Sequence, residues 1–391
     1  MNELQEKGSP KSAILKELKN RLQKDLTYNS GKILGSMCAY PHPFAKQICA
    51  EFIEKNLGDP GRFPANAEFE KEAVQMIGSL LSHPEAVGHI VSGGTEANIL
   101  AMWAARNQGN KERHEIVAPE SVHLSIEKSA DLLNLRLIKV KLDDSFRMNL
   151  EEAKRKISAK TCAIIGVAGT TGLGVVDPIA ELSEVAASNN IPLHVDAAFG
   201  GFVLPFLKEL GFNVPDFDFQ LQGVSSITVD PHKMGLAPIP AGGIVFRDPT
   251  TMKAVAKRVT YLAGGETDQT TLLGTRPGAS CIAVWALLKH LGRDGYRSIV
   301  KRCMDLTIEL ADEIEKIEGI GLVARPTLNM AGIESREVKV EALAGELRKR
   351  GWAIALFPGY IRIVVMPHIR FGHIEDFVKD LKNTVKKLRG R

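Results

Sequence analysis

An α/β fold, a mostly parallel sheet followed by a smaller α+β unit, is what the 391-residue sequence predicts. Three observations carry the expectation. From Gly88 onward, short apolar runs alternate with stretches of helical periodicity, the pattern of βαβ units. Clusters of glycine and polar residues fall at the ends of those runs, where an open parallel sheet binds ligands. Past a boundary near residues 278–287, the alternation gives way to one long helical pattern and a few further strands.

The first sixty residues read as an arm, helical at about 11–26 and turn-rich in "NLGDPGRFP" (56–64). Strands are then expected at 89–93 (HIVSG), 115–119 (EIVAP), 137–142 (LIKVKL), 162–169 (CAIIGVAG), 192–198 (PLHVDAA), 226–230 (SITVD) and 243–246 (GIVF). Helices fit between them, for example at 95–107 and 179–188. The last unit should hold strands near 321–333 and 361–366 and a terminal helix at about 374–388. The resulting division is an arm (1–64), a large α/β domain (65–280) and a small α+β domain (281–391).

Composition bounds the function. With 44% apolar residues, 25% charged residues and a net charge of +4, the chain is an ordinary globular one. No dense basic cluster is interleaved with aromatics, so no nucleic acid is expected as a partner. The opening "MNELQEKGSP" has no apolar leader core, and no apolar run could span a bilayer, which predicts a cytoplasmic protein without membrane contact. Cys38, Cys49, Cys162, Cys281 and Cys303 are odd in number and form no C-x-x-C. Neither a disulfide framework nor a metal site is therefore expected, and these cysteines read as small buried hydrophobes.

The informative stretch is "SSITVDPHKMG" (225–235), a β-branched run stopped by proline and followed by His232 and Lys233. Lysine is rarely buried without a partner, so Lys233 is either at the surface or there for chemistry. "SGGTEAN" (92–98) follows a strand and opens a helix, so Gly94 and Thr95 offer free N–H groups to an anion; on its own the stretch could be a plain turn with Thr95 as cap. It matches neither dinucleotide nor P-loop patterns. "HVDAAFGG" (194–201) puts Asp196 among small apolar neighbours, where a carboxylate needs a cation or donor unless it merely caps the next helix. "GTTGLG" (169–174) brings Thr171 to another strand end, and His123 opens a helix. A lysine for a Schiff base, an acid for a pyridine nitrogen and a cradle for a phosphate are together the set that pyridoxal 5′-phosphate needs.

These motifs, "DPHK", "HVDAA" and "SGGTEAN", give a sequence that resembles the group II pyridoxal-phosphate amino-acid decarboxylases, and within them the archaeal L-tyrosine/L-aspartate branch. The similarity runs from "GKILGSMC" (31–38) to "IRIVVMPH" (361–368). It implies the aspartate-aminotransferase-like fold (fold type I) and a homodimer with sites at the subunit interface. It implies that Lys233 carries the cofactor with His232 beside it, that Asp196 pairs with the ring nitrogen, and that Ala198 and His123 cover the two ring faces. Gly94, Thr95 and Thr171 would hold the phosphate. Tyr261, in "VTYLAGG", would protonate the product carbanion from a mobile loop. Thr275, in "LLGTRPGAS" (272–280), would reach the partner's site. Arg362, in "YIRIV", would hold a distal substrate carboxylate or else be a structural ion-pair residue.

The implied reaction is decarboxylation of a small amino acid. L-aspartate is the first candidate, giving β-alanine, a coenzyme A precursor. L-tyrosine, giving tyramine for methanofuran, is the alternative, as is dual specificity. An aldol-type carbon–carbon lyase, which shares the G-[ST]-R-P-G flavour of 274–278, and a non-catalytic cofactor-binding module are the rivals. "RFPANAEFE" (62–70) and "HIRFGHIEDF" (368–377) depart from the family pattern, the former in a region expected near the substrate entrance.

Overall fold

Seven strands form the central sheet of the computed structural model, which describes residues 3–109 and 112–390. The first two residues of the opening stretch thus lie outside the described residues. The strands are β1 (Val87–Val91), β2 (Glu115–Pro119), β3 (Arg136–Val140), β4 (Thr161–Val167), β5 (Leu193–Asp196), β6 (Val224–Val229) and β7 (Gly242–Phe246). Their spatial order is β1-β7-β6-β5-β4-β2-β3. The five from β6 to β3 pair in parallel, while β7 runs antiparallel to both neighbours.

Every residue of β2, β4, β5 and β7 is buried. That is why these strands read as unbroken apolar runs: helices cover both faces of a parallel sheet. Alternate residues feed two different cores, with Ile164, Val195 and Ile227 on one face and Ala163, Ile165 and Ile244 on the other. The strands end earlier than the apolar runs suggest. Ser92, Gly93, Ala168, Gly169, Ala197, Ala198 and Asp230 lie just past the ladder, because they turn into the loops at its carboxyl edge.

A short hairpin, β8 (Lys257–Val259) and β9 (Thr267–Gln269), follows the sheet. The second sheet is antiparallel, ordered β10-β11-β13-β12, from β10 (Ile320–Leu322), β11 (Met330–Ser335), β12 (Ala355–Phe357) and β13 (Tyr360–Val364). The apolar stretch near 321–333 is therefore two strands. β12, too short to show periodicity, went unforeseen. The helix Gly278–Glu315 joins both units and bends at Gly292, whose φ of 55° only glycine adopts freely. Leu34 is fully buried in the small unit's core and Ile33 bridges Ala353, so this part of the arm packs with the C-terminal residues.

The first helix stops at Leu22, short of the expected Leu26, and none of its residues is buried. Ile14, Leu15, Leu18 and Leu22 lie exposed along it. No helix among the described residues is long and apolar enough to cross a membrane.

The departing segment 62–70 does not line the central cleft. Its Glu70, on the helix Pro64–Leu80, is buried against Arg276, whose Nη2 donates to Oε2 at 3.1 Å. The N–H of Ile90 donates to the same carboxylate at 2.9 Å, and His89 bridges it to the Thr270 hydroxyl at 3.3 and 2.7 Å. A helix, a strand and the chain after the hairpin are locked by one charge pair that the linear sequence does not announce. Burial alone would raise the Glu70 carboxyl, but Arg276 and His89 bring it down to about 2.

The folded carboxyl thus lies below its ordinary value, so its stabilisation is present above pH ~4.5 and is lost as pH falls toward 2. Removing one partner of a buried pair costs about 3–5 kcal/mol. Glu70→Gln should lower the urea-unfolding free energy by that order at pH 7, and the gap to the parent should narrow below pH ~4. A gap that is absent at pH 7, or constant with pH, contradicts this reading of the pair.

Candidate active site

The carboxyl ends of β4, β5 and β6 open into one cleft of about 320 Å³. β6 ends because Pro231 has no N–H for the ladder. The chain then turns tightly, the N–H of Lys233 donating to the Asp230 carbonyl at 2.9 Å and that of Ala237 to the Pro231 carbonyl at 2.9 Å. This turn points Lys233 into the cleft with its ammonium 3.1 Å from Asp230 Oδ2. The partner demanded by a mostly buried lysine is therefore Asp230, three residues back. The other oxygen, Asp230 Oδ1, is buried without a hydrogen-bond partner.

His232 also lines the cleft, with Nε2 3.8 Å from Asp230 Oδ2. Its N–H and its Nδ1 both meet the Ala241 carbonyl, at 3.0 and 2.6 Å, so Nδ1 is the protonated nitrogen. Burial alone would lower this imidazole, but hydrogen bonding to Cys38 and the Asp230 carboxylate carry it above its ordinary value. The same contact, with help from Lys233, holds the Cys38 thiol below its ordinary range against the effect of burial. Backbone bonding keeps the two together, since the N–H of Ala39 donates to the His232 carbonyl at 3.1 Å.

Asp196, at the end of β5, meets donors rather than a cation. Asn98 Nδ2 donates to Oδ2 at 2.9 Å and the N–H of Ala198 to Oδ1 at 3.1 Å. His123 caps the helix Leu124–Leu133 through Nδ1, which accepts from the N–H of Ser125 at 3.2 Å. Gly94 opens the helix Gly94–Gln108, whose N-terminus carries no side-chain cap. A Cβ on Gly94 would stand 2.8 Å from Asp230 Oδ2, and one on Gly242 would stand 2.4 Å from the Gly93 Cα. Only glycine lets these backbones close on the cleft.

Lys233, His232, Asp196, Ala198, His123, Gly94, Thr95 and Thr171 all line this one cleft. Arg362 lies beside it on β13, 7% exposed, donating to the carbonyls of Thr171 and Gly35 at 2.6 Å each. Its Nε is buried without a partner, and it forms no ion pair with any described residue. The structural ion-pair reading is therefore unsupported, and burial holds this guanidinium below its ordinary value.

Two expected residues are not brought to the cleft of their own chain. Tyr261, in the β8–β9 hairpin, is 86% exposed, and Thr275 is exposed after it. Asp230, Asn98 and Cys38 were missed as functional residues. The first two stand inside the motifs that flagged the site, and only long-range packing reveals Cys38.

The cleft fits pyridoxal phosphate on its own geometry. It offers a primary amine, a carboxylate held ready at a strand end for a ring N–H, and an uncapped helix N-terminus for a phosphate. A larger cavity of about 860 Å³ at the amino ends of β2 and β3, edged by Arg106, Arg113 and Arg136, has no such set.

Comparison with known proteins agrees. The model of the pyridoxal-dependent decarboxylase conserved domain matches residues 2–331. The chain is 51% identical to an L-aspartate decarboxylase of Thermococcus kodakarensis, over 98% of this chain and 99% of that one. It is 49% identical to a probable L-tyrosine/L-aspartate decarboxylase of Methanothermobacter thermautotrophicus, over 91% and 98%. Among solved structures, the sphingosine-1-phosphate lyase of Burkholderia pseudomallei superposes with a TM-score of 0.93 at 27% identity, covering 100% of this chain and 94% of that one. The expected fold type I architecture is thereby met.

The thiolate is the reactive form of cysteine. Cys38 should therefore be alkylated by iodoacetamide at pH 7 before any other cysteine. Burial pushes Cys162 up to about 11 and Cys303 up to about 12, and raises Cys49 and Cys281 as well. Peptide mapping of partly alkylated protein checks the order; Cys49 reacting first would contradict it.

Proposed function

The chain belongs to the pyridoxal-dependent decarboxylase family, and from that premise we propose that it converts L-aspartate to β-alanine and carbon dioxide. It is a pyridoxal-phosphate-dependent amino-acid decarboxylase. The observation that favours a diacid substrate is Arg362: a buried guanidinium beside the cleft with no carboxylate partner among the described residues. An uncompensated buried cation is unfavourable, and a substrate carboxylate would supply the missing charge by a bidentate pair. The relative named for aspartate points the same way, while the tyrosine/aspartate relative makes L-tyrosine the second reading.

When bound, pyridoxal phosphate supplies an electron sink for the bond that breaks at the substrate Cα. The residues would act around it as follows. Lys233 would carry the cofactor on Nζ, with Asp230 holding the proton of that amine whenever it is free. Asp196, fixed by the N–H groups of Asn98 and Ala198, would keep a proton on the ring nitrogen by stabilising its positive charge. Ala198 and His123 would confine the ring between them. Gly94, Thr95 and Thr171 would bind the phosphate where the helix N-terminus is uncapped. His232 would buttress Lys233. The α-carboxylate must stand out of the ring plane, which Arg362 would enforce by anchoring the other end of aspartate.

The active form is proposed to be a homodimer. Tyr261, Leu272, Leu273 and the stripe on the first helix are all exposed in one chain, and Thr275 lies among them. In a dimer, Tyr261 would reach the partner's cleft and protonate Cα, closing over it as a lid, and Thr275 would stand at the phosphate of that cleft. A cytoplasmic location goes with this proposal, five free cysteines being suited to a reducing compartment.

The test compares kcat/KM for aspartate, glutamate and tyrosine in the parent and in Arg362→Met. Aspartate should be the fastest substrate. The variant should lose roughly a hundredfold on aspartate, about what a charge-assisted pair is worth, and far less on tyrosine. Faster turnover of tyrosine by the parent would overturn the substrate. Equal losses on aspartate and tyrosine would remove Arg362 from the distal carboxylate.

A further inference from the structure

Asn98, 1% exposed in the second turn of the helix Gly94–Gln108, makes every hydrogen bond its amide can make. Nδ2 donates to Asp196 Oδ2 at 2.9 Å and to Ser125 Oγ at 2.8 Å. Oδ1 accepts from the Thr228 hydroxyl at 2.7 Å and lies 3.0 Å from His194 Nε2. Two donors and two lone pairs are all that a side-chain amide has.

The direction of each bond follows. An ionised carboxylate can only accept, so the NH2 end must face Asp196, and the amide cannot be turned the other way. Oδ1 then needs a donor in His194, whose proton must be on Nε2, while Nδ1 accepts from the Ser226 hydroxyl at 2.8 Å. Burial lowers His194 to about 4, so it is neutral at pH 7.

The second branch reaches the cleft. Ser125 Oγ accepts from Asn98 Nδ2, which leaves its own O–H to donate to His123 Nδ1, 2.9 Å away. The backbone N–H of Ser125 points at the same nitrogen from 3.2 Å, and a backbone N–H can only donate. Nδ1 is thus an acceptor, and a neutral His123 must carry its proton on Nε2.

We propose that Asn98 is a positioning residue for both walls of the site: it fixes the Asp196 carboxylate directly and, through Ser125, holds His123 with its proton on Nε2. The inference rests on the reading that Asp196 and His123 flank the cofactor. One buried amide then sets the acceptor for the ring nitrogen and makes the facing imidazole a donor rather than an acceptor. His194, Thr228 and Ser226 anchor that amide from the sheet.

The first test needs no variant. Holoenzyme labelled with nitrogen-15 histidine is examined by long-range proton–nitrogen correlation at pH 7, with His123 identified by its loss in His123→Gln. Both His123 and His194 should appear as neutral rings protonated on Nε2. His123 protonated on Nδ1 would overturn the inference.

The second test separates the branches by equilibrium dissociation of pyridoxal 5′-phosphate and by steady-state kinetics. Asn98→Ala should weaken cofactor binding and lower kcat, each by about 10–100-fold, the scale set by residues that orient a site's ligands. Ser125→Ala spares the bond to Asp196. It should lower kcat but change cofactor affinity less than about threefold, the bottom of what one hydrogen bond is worth. Parent-like affinity and kcat in folded Asn98→Ala, with only a lowered Tm, would mean a structural role and overturn the proposal. If Asn98→Ala does not fold, the histidine spectra and Ser125→Ala decide. Neither the spectra nor the cofactor affinity depends on which amino acid is the substrate, so failure of the aspartate reading would show separately.

Discussion

The ion pair between Lys233 and Asp230 is the constraint around which the site is arranged. An amine that must be nearly buried and still reach a ligand needs a counter-charge that travels with it. Asp230 provides one from the same turn, at 3.1 Å, because Pro231 stops β6 and folds the chain back over three residues. The carboxylate also faces Gly94, so the helix that offers its N-terminus to an anion is packed against the group that holds the lysine. Cation, anion site and strand end are thus fixed by one short turn. The parallel order of β4, β5 and β6 brings Asp196 and Thr171 to the same edge.

Around this core the molecule uses long-range pairs to hold what the sheet does not. Glu70 and Arg276 tie the chain that follows the hairpin to the helix Pro64–Leu80, while the β8–β9 loop and Tyr261 are left exposed. Gly61 and Gly264 pack backbone to backbone, so the loop between β8 and β9 approaches the arm too closely for a side chain at either position. The loop is thus pinned to the arm at Gly264 while Tyr261 on it stands exposed.

Much of the fold was legible because buried parallel strands are written as unbroken apolar runs and their catalytic ends as breaks in those runs. Lys233, Asp196 and Gly94 were found by such breaks. Strand ends were misjudged by a residue or two, since Ala197 and Ala198 are as apolar as the ladder they leave. β12 was invisible because three residues carry no period. The packing of the 62–70 segment was not legible because a buried carboxylate such as Glu70 looks, in sequence, like any exposed helical glutamate. Asn98 and Cys38 were missed for the same reason: their partners are distant in the chain, at positions 196, 125 and 228 for the first and 232 for the second. The lack of a counter-ion at Arg362 can be seen only when its neighbours are in place.

The cleft is built around Lys233, the residue proposed to carry the cofactor. The most direct measurement is to treat the purified holoenzyme with borohydride, digest it and locate the phosphopyridoxyl mass on its peptides. The label should lie on Lys233 alone, with loss of visible absorbance and no labelling in Lys233→Ala. The same label on another lysine, or its persistence in Lys233→Ala, would contradict it.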